Sequence, residues 1–426
     1  MIDFYKEFGN LGYLANYSHH GFYKDGIFYK TAEHYYQASK FNDLEIKNKI
    51  INSSTPKEAS MIGRDVNNKR IDNFKNYKLD VMFEAVYLKF SQNKDIRTKL
   101  IETRNQTIRE MTVKESFWGV GPNLDGLNHM GKILEKVRYQ VKNDLIDQII
   151  ANSYKKKVYI IGHKKPDFDS FFSAYLLSRI LKSFNVDAIF AVRDEDFIDK
   201  KMINDWLDFK YEVVTDYSDK YFILVDHNNL DGIDKTHVLG AIDHHKITGE
   251  VSDLIEIEYA SCALLIYDLF KSRYAFSFKE KKLIALSVLS DTEFLSSSRF
   301  SSEDKKLYDE LDANIDVSQF KRKYLITTDF SMDINSNLFY DFKEYRVGRR
   351  IIKRSLIRSY SADKDKYYNL YVSAMKQYNV NLIIWCDYEK LVTYVRYNDI
   401  DIIYPYFTTS TNLIINYLVN EKYLKK

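Results

Sequence analysis

The residues best suited to chemistry stand in GHKKPDFDS, Gly162 to Ser170. His163, Asp167 and Asp169 place one imidazole and two carboxylates within seven residues. That hard donor set suits Mn, Mg, Co or Fe(II) better than a thiolate-rich zinc site does. Asp167 and Asp169 are two apart, so an extended loop would turn both carboxylates to one side. Alone, such a trio is more often a group of surface turn formers. Further ligand-type residues follow: Asp226 and His227 in VDHNN, Asp243, His244 and His245 in IDHHK, and Asp291 in LSDTEFL. Each could be a satisfied structural group singly. Gathered at one edge, the four clusters make a metal centre.

The elements that must gather them are legible as apolar runs ending in these polar clusters: VYII (Val158–Ile161), DAIFAV (Asp187–Val192), YFILVDHN (Tyr221–Asn228) and VLGAIDHH (Val238–His245). Helical patterns separate several of them, as in a parallel, doubly wound sheet, whose strand ends hold ligands. Asp291 ends an apolar helical stretch. From about residue 326 a smaller α/β unit follows, with strands read in NLFYDFKEYRV, YNLYVSA, VNLIIWCD and KLVTYVRY. Before residue 150 the alternation is missing. There, KTAEHYYQASKF predicts a helix starting near Thr31, and Thr55 and Pro56 fit N-cap and N1 of another. KLDVMFEAVYLKF is amphipathic, and a Gly-studded loop leads to a closing helix from about Asn128. The expected fold class is α + α/β: a mainly helical domain over 1–150, a doubly wound parallel-sheet domain over 156–325 and a smaller α/β lid domain over 326–426.

Composition sets bounds on partners and location. A chain of 426 residues with 45% apolar side chains suffices for two or three packed domains. The formal net charge of +3 leaves no electrostatic footprint for nucleic acid. The start lacks a basic region with an apolar core behind it, and no apolar stretch is long enough to span a membrane. Only Cys262 and Cys386 are present, which favours a reducing compartment. The expected location is cytoplasmic.

In the first third, the ordered series EHYYQASKF, TPKEASMIGR, YLKF and FWGVGPNLDGLNHMGKILEKVR resembles the NADAR family of YbiA-like N-glycosidases. The resemblance implies a small helical domain that cleaves N-glycosidic bonds to ribose, in riboflavin-pathway pyrimidines or ADP-ribosylated guanine. Such cleavage passes through an oxocarbenium-like state and needs a carboxyl group, a base-stacking aromatic and sugar or phosphate contacts. Glu33 is the acid/base candidate, Trp118 the stacking ring, Asn128 a sugar or base contact and Arg64 a phosphate contact. Lys40 is a candidate for imine formation with an opened ribose. Where family members have Asp three residues before the Trp, this chain has Glu115, a carboxylate displaced by one methylene.

From residue 156 on, GHKKPDFDS, VDHNN, IDHHK, ASCALLIYDLF and LSDTEFL resemble the DHH phosphoesterase superfamily, and within it the manganese-dependent family II inorganic pyrophosphatases. Carried over by position, His163, Asp167 and Asp226 would hold one divalent ion. Asp169, Asp226, His244 and Asp291 would hold a second, with Mn expected and Mg or Co as alternatives. His245 would face substrate phosphate or the leaving group, and Lys343 in DFKEY would bind phosphate. A homodimer through this domain is implied. The chain departs from the pattern at its end, where TTSTN (Thr408–Asn412) stands in place of a Ser-Arg-Lys-Lys clamp. The expected function is therefore a bifunctional hydrolase acting on ribosylated and phosphorylated small molecules. Nucleic acid enters only as an ADP-ribosylated-guanine substrate. The rival is a chain in which one half has become a ligand-binding or sensing module.

Overall fold

A computed structural model describes residues 1–113, 115–194, 209–245, 251, 254–297, 300–317, 320, 330, 333–340, 342–359, 361–387, 390, 392–406 and 411–424. Contacts divide the chain into two units, residues 1–156 with 239–258 and residues 157–238 with 259–426. Among the described residues no helix is long and apolar enough to cross a membrane.

The first 156 residues are mainly helical. Strand β1 (Ile2–Phe4) is followed by a hairpin of β2 (Phe22–Lys24) and β3 (Ile27–Tyr29). Its two-residue turn is Asp25-Gly26 with φ of 50° and 80°, a pairing that suits a right-twisted hairpin. Helices α1 (Ala32–Ala38), α2 (Leu44–Asn52), α3 (Pro56–Arg64), α4 (Phe74–Gln92) and α5 (Lys94–Glu102) follow. Strand β4 (Ile108–Glu110) then pairs in parallel with β1, and α6 (His129–Ser153) closes the segment. Local chemistry sets the helix starts: the Thr31 and Thr55 hydroxyls accept from the His34 and Glu58 amides, and Pro56 opens α3. Phe22, Tyr29, Tyr35, Phe41, Ile50 and Ala85 form a core that buries α1 on every side.

The alternation expected after residue 156 is present. Strand β5 (Lys157–Ile161) leads through the ligand-rich loop into α7 (Phe168–Ser183). Strands β6 (Asp187–Val192), β7 (Glu212–Val213), β8 (Tyr221–Val225), β9 (Val238–Asp243) and β10 (Leu254–Glu256) follow, then α8 (Cys262–Phe270), α9 (Phe278–Asp291) and α10 (Ser302–Leu311). The sheet order is β10-β9-β8-β5-β6-β7, with parallel pairings of β5 to both β6 and β8. Renumbered from its first strand, that is the 3-2-1-4-5-6 order of doubly wound sheets, whose switch point lies between β5 and β8.

The last segment is a five-stranded mixed sheet, ordered β11 (Phe342–Val347), β12 (Arg350–Ser359), β13 (Leu382–Asp387), β14 (Val392–Tyr397), β15 (Ile400–Tyr404). Helices α11 (Ile334–Tyr340) and α12 (Ser361–Gln377) pack on one face and α13 (Thr411–Asn420) on the other. Two expectations are corrected here. YNLYVSA lies inside α12, because Tyr367, Tyr371, Ala374 and Met375 recur at helical spacing and pack on Trp385 and Ile357. Asn337–Tyr340 closes α11, so the strand begins only at Phe342. Strands β12 and β15 were not anticipated. The boundary expected at 325/326 and Thr408–Ser410 lie outside the described residues.

Candidate active sites

Helix α1 builds the first site. Glu33, Tyr36, Gln37 and Lys40 recur at three-, four- and seven-residue spacing, so they share one helical face. They line a cleft of about 280 Å³ with Asn16, Tyr17, Arg64, Met82, Glu110, Glu115, Trp118 and Met130. Asn16 Nδ2 donates to Glu33 Oε2 at 2.6 Å, and Gln37 Nε2 donates to Glu33 Oε1 at 2.6 Å. Gln37 Oε1 in turn accepts from Lys40 Nζ at 2.6 Å, so one amide links the carboxyl to the amine. Burial pushes the Glu33 carboxyl up, against the Gln37 hydrogen bond and the Lys40 charge. Burial also lowers the Lys40 amine to about 8, despite the nearby Glu33.

Glu110, which the sequence reading missed, closes the other side. It ends β4, its Oε2 is buried without a hydrogen-bond partner, and burial with the charges of Glu115 and Glu33 raises its carboxyl to about 7. Nothing in EMTVKES marks it out beforehand. Gln37 was recoverable, since it lies on the same helical face as Glu33. Glu115 turns its carboxylate inward on its own loop: Oε2 accepts from the Phe117 and Trp118 amides at 3.0 Å each and Oε1 from Gly119 at 3.1 Å. It thereby fixes Trp118, whose ring meets Tyr36 edge-on at 5.7 Å. Arg64 stands exposed at the rim. Asn128 is not brought to the cleft. Its side chain bridges the Ile108 carbonyl and Glu110 amide, at 2.8 and 3.1 Å, and so holds β4 and Glu110 in place. Buried Lys89 on α4 donates to the Tyr13 and Ala15 carbonyls at 2.6 and 2.8 Å, which anchors the segment presenting Asn16.

The second site lies at the switch point of the parallel sheet. His163 follows β5 and Asp226 follows β8; His163 Nε2 stands 3.7 Å from Asp167 Oδ2 and 3.6 Å from Asp226 Oδ2. Ligand-type atoms of His163, Asp167 and Asp226 lie within 4.8 Å of one another. The same closeness holds for Asp226, His244 and His245, and for Asp169, His244 and Asp291. Asp226 adopts φ of 61°, the left-handed region that costs most residues about 1 kcal/mol or more. The loop is pinned by Ser170 Oγ, which accepts from the His163 amide at 3.1 Å, and a Cβ on Gly162 would overlap that hydroxyl.

Contrary to the expectation, Asp167 and Asp169 do not share one side of an extended loop. Asp167 caps α7, accepting from the Ser170 amide at 3.0 Å, while Asp169 lies buried in the first turn of α7. Helix geometry replaces strand alternation there, and the carboxylates join different ligand groups. Asp169 also accepts from the Cys262 and Ala263 amides at 2.6 and 2.9 Å, which ties α7 to the start of α8. Burial opposes ionisation of Asp167, but its bonds to His163 and the Ser170 amide bring its carboxyl below the ordinary range. His227 turns away, its Nδ1 2.9 Å from the Val225 carbonyl oxygen, and stands outside the three groups. Asp243, read among the ligand-type residues but given no role of its own, holds His245 by a 2.9 Å bond to Nδ1. Lys343 is exposed on β11, and its charge reaches His163 and Asp167. Carboxylate oxygens and imidazole nitrogens alone make up the three groups, a set that fits hard or borderline divalent ions.

A helical segment with an acidic cleft and a doubly wound sheet with ligand groups at its switch point define a two-part chain. Residues 3–142 match the family model of the NADAR domain, and residues 157–290 that of the DHH family, N-terminal domain. The N-glycosidase Npun_R5314 of Nostoc punctiforme is 39% identical over 145 residues, 33% of this chain and 93% of that protein. The N-glycosidase YbiA of Escherichia coli is 32% identical over 141 residues, 33% of this chain and 88% of that protein. The chain thus belongs, through its N-terminal third, to the NADAR family, and a DHH domain follows. Among solved structures, E. coli YbiA is 31% identical with a TM-score of 0.33, covering 34% of this chain and 87% of that one. A Methanococcus jannaschii protein assigned to the family II inorganic pyrophosphatases is 21% identical with a TM-score of 0.43, over 56% of this chain and 86% of that one. An exopolyphosphatase-related protein of Bacteroides fragilis is 16% identical with a TM-score of 0.39, over 67% of this chain and 96% of that one.

Proposed function

We propose that the chain is a bifunctional hydrolase with three domains, 1–150, 156–325 and 326–426. The first is an N-glycosidase acting on ribosylated bases, in riboflavin-pathway pyrimidines or ADP-ribosylated guanine. The observation carrying this reading is the buried pair Glu33 and Glu110 in one cleft with a desolvated lysine. A carboxyl poised near 7 is protonated often enough at neutral pH to donate to a leaving nitrogen. Glu110 is the acid in this scheme, and Glu33, held by Asn16 and Gln37, faces the developing positive charge at the sugar. Lys40, with its lowered pKa, is the alternative nucleophile towards an opened ribose. Trp118 stacks on the base and Arg64 takes a phosphate.

The second activity is a two-metal phosphohydrolase, carried by the convergence of three carboxylate and imidazole groups at the switch point. His163, Asp167 and Asp226 would hold one divalent ion, and Asp169, Asp226, His244 and Asp291 the other, with Mn favoured. When bound, the ions supply an activated water and neutralise phosphate charge. The chain's residues do the rest: Asp243 orients His245 towards the leaving group, and Lys343 binds phosphate beside the ligands. A cytoplasmic homodimer is the expected assembly. The test is a pair of variants. Asp226→Ala should abolish metal-dependent phosphate release and spare glycosidase turnover, whereas Glu33→Ala should do the reverse. Loss of both activities in either variant refutes separate sites.

A further inference from the structure

The motif VDHNN carries one ligand-type residue that the metal groups leave unused, His227. Its Nδ1 stands 2.9 Å from the Val225 carbonyl oxygen. A carbonyl has no proton to give, so Nδ1 carries the hydrogen and donates it. The ring of residue 227 thus closes over residue 226 onto residue 225. Asp226, the residue inside that closure, holds φ of 61°, a left-handed backbone that an Asp adopts only at a cost. With the hydrogen on Nδ1, the neutral ring presents Nε2 as an acceptor. Arg193 Nη1 meets it at 3.4 Å.

Arg193 directly follows β6, and its side chain is fully buried. A guanidinium out of water is costly unless its donors are satisfied. Here each nitrogen has a partner. Nε donates to the Tyr217 hydroxyl at 3.0 Å, Nη1 also to Asp231 Oδ2 at 3.2 Å, and Nη2 to the Asp231 carbonyl at 3.2 Å. The Tyr217 ring lies 5.2 Å from the guanidinium carbon and meets Phe222 of β8 edge-on at 5.7 Å. His227 and Asp231 both belong to the loop after β8, whose Asp226, Asp231 and Gly232 all take positive φ, 61°, 47° and 94°. Strand β5 separates β6 from β8 in the sheet. The arginine and its partners therefore bridge two strand spacings, roughly 10 Å, past the strand that delivers His163. A planar fork tied at several points is a rigid brace, which the single point charge of a lysine does not reproduce.

We propose that Arg193, acting through the His227 ring, is the positioning residue that holds Asp226 in its cation-binding conformation. This rests on the phosphohydrolase reading above and deepens it. Divalent-ion affinity then depends on a buried side chain that is itself no ligand, and both ion sites depend on it together, because Asp226 is shared between them. The test titrates the full chain with Mn and follows the free ion by electron paramagnetic resonance. Arg193→Gln and His227→Ala should each weaken Mn binding about tenfold or more. The double variant should bind no more weakly than His227→Ala alone, since the arginine acts through that ring. His227→Asn, whose amide still donates to the Val225 carbonyl, should fall between wild type and His227→Ala. Tyr217→Phe, which leaves the arginine–imidazole contact in place, should bind Mn as wild type does. Unchanged Mn affinity in His227→Ala overturns the brace, and so do losses that multiply in the double variant. His227 is half-buried, and its two variants carry the test if Arg193→Gln fails to fold. A wild-type chain that binds no Mn overturns the brace together with the phosphohydrolase reading.

Discussion

At the scale of single residues, Glu110 concentrates the conflict between stability and function. Its carboxyl takes up a proton near 7 in the folded chain, against 4.5 ordinarily. Between these values the folded state binds more protons than the unfolded one, so stability falls as pH rises from 4.5 to 7 and stays lower above it. Glu110→Gln removes that penalty. It should stabilise the glycosidase domain at pH 8 by up to about 3 kcal/mol while eliminating turnover. Denaturant titration at pH 5 and pH 8 checks this, because the gain should shrink at the lower pH. A variant both less stable and fully active would show that Glu110 is an ordinary buried group.

Elements, rather than residues, decide how accurately these groups meet. Helix α3 approaches α1 at Gly63, where a Cβ would overlap the Gln37 side-chain oxygen. Gln37 is the amide between Glu33 and Lys40, so Gly63→Ala should unhook both. The expected result is at least a tenfold loss of glycosidase kcat with the metal-dependent activity intact. The sequence made much of this scale legible. Thr31, Thr55 and Pro56 announced their helices through cap chemistry, and the VYII–loop–helix layout announced β5 and α7. The clusters at Asp226, His244 and Asp291 were readable because apolar runs deliver their ends to one sheet edge. What stayed hidden depended on contacts between distant segments. Glu110 acquires its character only from Glu33, Glu115 and burial. Strand β12 was not anticipated, and YNLYVSA has β-forming side chains that a helical partner face overrides.

For the molecule as a whole, the metal ligands proposed above would tie stability to bound cations. Asp167, Asp169, Asp226 and Asp291 bring four carboxylates into adjoining groups, and ions that bind the folded state alone stabilise it by mass action. Adding Mn at a thousandfold its dissociation constant should therefore contribute about 4 kcal/mol. Differential scanning calorimetry of chelated and Mn-loaded protein should show one transition rising by several degrees. Asp226→Ala should abolish the rise, and a rise that survives it would place the ions elsewhere. Asp226 also bears on how such a chain drifts over generations. Its left-handed backbone makes Gly or Asn the easy replacements once a carboxylate is no longer needed. A lineage that had abandoned metal chemistry would slide towards those residues and gain stability on the way. Asp at this position forgoes the backbone freedom of glycine, a choice that the cation binding proposed above would account for.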